Sequence, residues 1–201
     1  MTTVVAITAG LSETSSTRLL ADRLVESLGR QAGDVSVEVV NLRELAHDVV
    51  DATLTGFASP RLQDVLDKVT AADGLIVATP IYKASYPGMF KSFFDVMETD
   101  AVIGKPVLLA ATAGTARHSL AIDHTLRPLF AYMQALVVPT GVFASAHDWG
   151  AEGAPALEQR IDRAAGELAS LLKGTGTGRS RTDDFDLFSE TFRSIAEGPK
   201  A

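Results

Sequence analysis

The stretch VVAITAGLSETSSTRLLADRLVESL, residues 4–28, decides the fold. It opens on a short apolar run, Val4 to Ile7, with no basic residue ahead of it. That reads as a first β-strand and not as a leader peptide. From Ser16 to Leu28 the spacing of Leu19, Leu20, Leu24, Val25 and Leu28 predicts a helix with one apolar face. Gly29 and Gly33 bracket its end. Strand and helix are joined by a turn, Thr8 to Thr17, in which Gly10 is followed by the hydroxyls of Ser12, Thr14, Ser15, Ser16 and Thr17.

The same alternation continues along the chain. Apolar runs at Val35–Val40, Leu75–Ala78, Val107–Ala110 and Leu136–Phe143 predict four more strands. Runs this short and continuous suit parallel strands covered on both faces. Helical patterns fill the gaps at Pro60–Ala71, Pro87–Met97, Leu120–Ala135 (interrupted near Pro128) and Leu157–Leu172. Repeated strand–helix alternation with right-handed crossovers predicts an α/β fold. With five strands this is a flavodoxin-like three-layer sandwich, a parallel sheet in the order 2-1-3-4-5.

Composition narrows the class. The 201 residues are 46% hydrophobic and 21% charged, with a net charge of -7 and no Cys. Disulfides, thiol nucleophiles and thiolate metal sites are excluded. The acidic balance argues against nucleic acid as a partner. No apolar run is long enough for a membrane span, and a cytoplasmic protein is expected. The globular domain is expected over 1–173, a Gly/Thr-rich linker over 174–184 and a tail over 185–201. Phe185, Leu187, Phe188, Phe192 and Ile195 suggest that the tail packs on the body or on a partner subunit.

In open α/β sheets, ligands gather beyond the carboxyl ends of the strands near the order reversal. The loops after strands one, three and four are therefore the candidate site. The first, with its hydroxyls opening a helix, suits a phosphate held by helix N–H groups without a lysine. The alternative is that Ser15, Ser16 or Thr17 only caps the helix. The second, Thr79 to Gly88, is a stiff aromatic loop suited to flanking a flat ring, or an ordinary strand-to-helix turn. The third, Thr112 to Ser119, has small residues that admit close backbone approach, with Arg117 and His118 beside them. These two either meet a second anionic ligand or serve as a solvated cation and a helix-start histidine. Several chemistries lack their motifs. There is no GxxxxGK[ST], GxGxxG or GxSxG, no acidic pair for a phosphoryl-receiver domain, and no metal-ligand spacing among His47, His118, His124 and His147.

Three motifs carry a family resemblance: AGLSETSSTRLLADRL after strand one, ATPIYKASYPGMFKSFFDVM after strand three and ATAGTARHSLAIDHTLRPLFAYMQA after strand four. Together the chain resembles the NADPH-dependent FMN reductase family of flavodoxin-like proteins over about residues 2–172. The middle motif, with Pro80, Tyr82, Ser85, Pro87, Gly88 and Lys91, is the most specific. The third is similar to a subgroup of actinobacterial FMN reductases that partner a luciferase-like flavin monooxygenase.

The resemblance implies that Ser12, Ser15, Ser16 and Thr17 bind the FMN phosphate. It implies that Thr79, Pro80, Ile81, Tyr82 and Ser85 line the isoalloxazine ring, and that Thr112, Ala113, Gly114 and Thr115 meet its pyrimidine side. Arg117, His118 and Lys83 are candidate contacts for NADPH or NADH. Many family members carry Ser or Arg just after the loop glycine, where this chain has Leu11. The implied activity is hydride transfer from NADPH to FMN, carried by the cofactor with no catalytic residue required, in a homodimer or larger assembly. An NAD(P)H quinone- or azo-type reductase with bound FMN, a flavodoxin-type electron carrier and a non-catalytic binding module remain alternatives. The apolar helix Pro87–Met97 is expected to pack mostly on the sheet and partly on another subunit.

Overall fold

A computed structural model describes residues 1–12 and 14–174. The chain runs β1 (Thr2–Thr8), α1 (Ser16–Ala32), β2 (Val35–Asn41), α2 (Ala46–Thr55), α3 (Pro60–Ala71), β3 (Gly74–Pro80), α4 (Gly88–Asp95), β4 (Pro106–Ala113), α5 (Arg127–Tyr132), β5 (Leu136–Val137), β6 (Val142–Ser145) and α6 (Ala154–Gly174). The sheet is parallel with the order β2-β1-β3-β4-β5, as the alternation predicts. Gly174 closes α6. The rest of the expected linker and the tail, 175–201, lie outside the described residues.

The sheet buries both faces. Val4, Ala6, Ile76, Ala78, Leu108 and Ala110 face α1 and α6. The alternate residues, among them Val5, Ile7, Leu75, Val77, Leu109 and Phe143, face α2 to α5. β3 is buried along its whole length because it lies between β1 and β4. β2, at the edge, has mostly half-buried or exposed residues. α1 begins at Ser15, whose hydroxyl accepts from the Arg18 amide, and its buried stripe is Leu20, Ala21, Leu24, Ser27 and Leu28. Leu19, expected on that face, is 45% exposed, because the stripe lies one position further along.

Polar bonds seal the seam between α1 and α6. Arg23 meets Glu158 at 2.6 Å, the Ser27 hydroxyl donates to Asp162 at 2.6 Å and Gln31 donates to the Asp162 carbonyl at 2.8 Å. The Ser27 hydroxyl, with Arg30 behind it, holds the Asp162 carboxyl below the ordinary range against the opposing effect of burial.

Three features depart from the sequence reading. First, α2 fills the connection between β2 and α3, where no helix was expected. It is short, and only Val49 and Ala52 are buried within it, so its apolar periodicity is faint. Second, the expected fifth strand Leu136–Phe143 is two segments. β5 pairs the start of β4 and β6 pairs its end. Between them Pro139 has no N–H to donate. Thr140 turns its amide and hydroxyl to Glu167, each at 2.7 Å. The carbonyls freed by the break, of Val138 and Pro139, accept from Arg127. Third, the interruption in Leu120–Ala135 is a wide π turn, Ile122–Leu126, that ends before Pro128.

Phe90, Phe93 and Phe94 of α4 are buried, and Phe94 meets Phe130 edge-on at 5.0 Å between centroids. Such aromatic pairs contribute about 0.5–1.5 kcal/mol beyond area burial. The Phe-rich helix is therefore mostly core, as expected.

Candidate functional site

β1, β3 and β4 end at one level, and the ladder continues past them. The Ala9 amide donates to the Ala78 carbonyl at 2.9 Å, and the Ile81 amide to the Thr112 carbonyl at 2.8 Å. The three following loops therefore leave side by side at the reversal of strand order. They enclose a cleft of about 250 Å³ lined by Gly10, Leu11, Ser12, Thr14, Ser15, Ser16, Thr17, Pro80, Ile81, Tyr82, Thr112, Ala113 and Gly114.

Gly10 shapes the cleft. A Cβ on it would lie 1.9 Å from the Ser15 hydroxyl, so only glycine lets the loop fold down onto the start of α1. The hydroxyls there divide the work. Ser15 caps α1, accepting from the Arg18 amide at 3.4 Å, and its own proton stays available to donate. Thr17 and Thr112 share a buried hydrogen bond of 2.7 Å that ties α1 to the end of β4. A pair of hydroxyls spends one proton on such a bond and keeps the other. Ser12 donates to the Thr14 carbonyl at 3.3 Å, and Ser16 is exposed on the first helical turn. The Thr8 hydroxyl, at the end of β1, is buried with no hydrogen-bond partner among the described residues.

The wall from the β3 loop is a two-residue hairpin. Tyr82 and Ser85 exchange backbone hydrogen bonds of 2.8 and 3.1 Å. Lys83 and Ala84 between them have φ values of 50° and 71°. This is the primed turn that normally takes Asn-Gly or Gly-Gly. Non-glycine residues held in that region cost on the order of 1–3 kcal/mol each. The strained turn sets Tyr82, 50% exposed, at the edge of the cleft.

Behind the β4 loop, Ala113 pairs with Ser145 at the end of β6. Ser145 donates its amide and hydroxyl to Asp148 at 2.8 and 2.6 Å, and Arg160 meets the same carboxylate at 3.0 Å. Partial burial pushes the Asp148 carboxyl up, but the Ser145 bonds and Arg160 outweigh it and leave it below the ordinary value.

Of the residues singled out in the sequence, Ser12, Ser15, Ser16, Thr17, Pro80, Ile81, Tyr82, Thr112, Ala113 and Gly114 line this one cleft. Thr79, Ser85 and Thr115 do not. Thr79 is buried and donates to the Pro80 carbonyl, Ser85 pins Tyr82, and Thr115 is exposed on the loop. Lys83 and Arg117 are exposed and His118 half-buried, all outside the lining. Gly10, Leu11 and Thr14 also line the cleft; the sequence reading placed Gly10 and Thr14 in the hydroxyl-rich turn without assigning either a ligand contact. A larger open concavity, about 470 Å³, lies between Gln31 and Lys173 at the opposite end of the sheet, remote from these loops.

The donor set fits the phosphate of a flavin mononucleotide. The cleft offers hydroxyls and the start of a long helix, Gly10 provides the room, and none of the described lining residues is charged. Comparisons with known proteins bear on the family of the whole chain. A profile described as NADPH-dependent FMN reductase matches residues 2–150. An FMN reductase (NADPH) of Pseudomonas aeruginosa is 41% identical over 173 residues, spanning 85% of this chain and 92% of the relative. An NADH-dependent FMN reductase, SfnF, of Pseudomonas putida is 38% identical over 172 residues, with 85% and 92% covered. A crystal structure of an oxidoreductase from Corynebacterium diphtheriae superimposes with a TM-score of 0.84 at 48% identity, covering 87% of this chain and 98% of that one.

Proposed function

The chain belongs to the NADPH-dependent FMN reductase family, and from that premise we propose how its own residues serve the reduction of FMN by NADPH or NADH. The observation that carries the reading is the uncharged, hydroxyl-rich cleft at the start of α1, where the ends of β1, β3 and β4 meet. Ser12, Ser15, Ser16 and Thr17 would hold the FMN phosphate, with the helix start supplying N–H groups and the positive dipole end. Pro80, Ile81 and Tyr82 would flank the isoalloxazine ring. Thr79 and Ser85 support them from behind, the first under Pro80 and the second by fixing the hairpin. The backbone of Thr112, Ala113, Gly114 and Thr115 would face the pyrimidine side, where amides stabilise negative charge gained on reduction.

The chemistry supplied by a flavin bound there is the acceptance of hydride from a dihydronicotinamide. The chain's residues need only bind, orient and leave one ring face open to the second substrate. Such a role requires no acid–base pair. Relatives named FMN reductases support flavin that exchanges with solvent as substrate and product. Release of reduced flavin to a flavin-dependent monooxygenase, in the cytoplasm, follows from that reading. A homodimer or larger assembly completes it, checked by sedimentation mass.

Purified protein mixed with FMN and NADPH or NADH is expected to consume the nicotinamide absorbance with turnover. Oxidation of neither nicotinamide would overturn the proposal.

A further inference from the structure

The β4 wall of the cleft hangs on one rung of the sheet. Ala113 and Gly114 line the cleft. The last pairing on their outer side is that of Ala113 with Ser145. Past it, Gly114 to Arg117 are exposed. β6 is four residues long, Val142–Ser145. Where the wall stands therefore depends on what holds Ser145.

One carboxylate holds it. Ser145 is buried, and its amide and hydroxyl both donate to the same oxygen of Asp148, at 2.8 and 2.6 Å. Arg160 of α6 meets the other oxygen at 3.0 Å. The Asp148 side chain is 18% exposed and lies outside the cleft lining. A largely buried ion pair contributes little net stability compared with an apolar pair of similar size. It does fix geometry, because two donors of one residue converge on one charged oxygen.

An independent observation concerns the turn that carries Asp148, Ala146–Trp149. A Cβ on Gly153 would lie 2.6 Å from the His147 carbonyl oxygen and 2.7 Å from the Asp148 Cα, so the turn rests directly on the start of α6. The Arg23 guanidinium lies 5.1 Å from the centre of the Trp149 ring, and Arg23 also meets Glu158 of α6 at 2.6 Å. The turn is thus clamped to α1, which opens at the hydroxyl-rich loop, and to α6 beside it. Support of this kind holds a ligand-facing backbone to within about 0.5 Å.

We propose that Asp148 is a positioning residue for the flavin ring: by pinning Ser145 from behind, it fixes the Ala113–Gly114 backbone that the ring would face. This rests on the cleft being the flavin site. Asp148 acts through Ser145 and β4, and touches neither flavin nor dinucleotide.

The test is flavin fluorescence titration of the full chain with FMN and with riboflavin, beside a thermal melt. The variants are Asp148→Asn and Arg160→Gln. Asp162→Asn is the control, because that carboxylate also takes a serine hydroxyl and an arginine, at 2.6 and 3.0 Å, but on the α1–α6 seam away from the cleft. Asp148→Asn is expected to weaken both flavins by the same factor, about tenfold. Arg160→Gln should do so in the same sense and to a smaller degree. Asp162→Asn should melt lower as Asp148→Asn does, yet keep both Kd values within about twofold of native. In turnover, Asp148→Asn should raise the flavin KM and leave the nicotinamide KM within about twofold. An equal factor supports the proposal because FMN and riboflavin share the ring and differ in the phosphate. A loss confined to FMN would place the effect at the phosphate and overturn it. So would native Kd values in Asp148→Asn, or an equal loss in Asp162→Asn, which would trace the effect to general loosening. If Asp148→Asn does not fold, Arg160→Gln decides alone, since it keeps the carboxylate and its Ser145 bonds; native Kd values there overturn the proposal. A native protein that binds FMN but oxidises neither dinucleotide would sink the reductase reading and leave this one standing. A native protein that binds neither flavin would sink both.

Discussion

The two ends of the sheet are built on opposite plans. Along the α1–α6 seam running toward the amino ends of the strands, polar groups are matched to one another. Asp162 alone receives Ser27 and Arg30, and its carbonyl receives Gln31. At the carboxyl ends, hydroxyls keep protons to spare, Thr8 has no partner, the hairpin is strained, and Lys83 and Arg117 stand unpaired among the described residues. A protein of this size is stable by only about 5–15 kcal/mol, so it can leave such capacity unmatched only where the other end supplies the stability. On the proposed function, the difference falls where the flavin would complete the molecule.

Substitutions can break that contrast. The largest effect is expected from Gly10→Val, because even the first added carbon meets Ser15 at 1.9 Å. Overpacking of this kind costs about 1–3 kcal/mol, and FMN affinity should fall about a hundredfold once the loop lifts from α1. Flavin fluorescence titration beside a thermal melt separates the two. Ser15→Ala removes the cap of α1, at about 1 kcal/mol. It should also raise the KM for FMN about tenfold while leaving that for riboflavin, which lacks the phosphate, unchanged. Equal losses for both flavins would place the phosphate elsewhere.

Asp148→Asn sharpens the comparison from behind the site. The folded protein holds this carboxyl below its ordinary value of 3.8, so its ionised form stabilises the fold at all pH values above that. The variant should melt about 2–4 °C lower at neutral pH. The gap should close as the pH falls below 3.8 and the native carboxyl takes up its proton. A gap that persists in acid would trace the loss to packing. The smallest effect belongs to Thr8→Val. Replacing an unpartnered buried hydroxyl with an isostere should change stability by less than about 0.5 kcal/mol, or raise it slightly. A fall in FMN affinity in that variant would add Thr8 to the site.

Much of this was legible in the chain. Val4–Ile7 and Leu75–Ala78 are continuous apolar runs because both faces of their strands are covered, and that pattern survives in one dimension. α2 was not legible, since a short helix with few buried residues has little periodicity to read. Nor was the break between β5 and β6. Pro139 hinted at it, but Glu167 and Arg127, which satisfy the freed groups, come from α6 and α5. In the site, hydroxyl content showed through, whereas the division among cap, tie and free donor did not.

The sequence by itself determined the layer architecture, the strand order and which three loops would meet, because periodicity and turn residues act locally. Tertiary structure decided the rest. Only the folded chain brings Thr17 against Thr112, 95 positions apart, and puts Ser15 under Gly10. Contacts between distant residues depend on how helices seat on the sheet, and no local pattern encodes that distance.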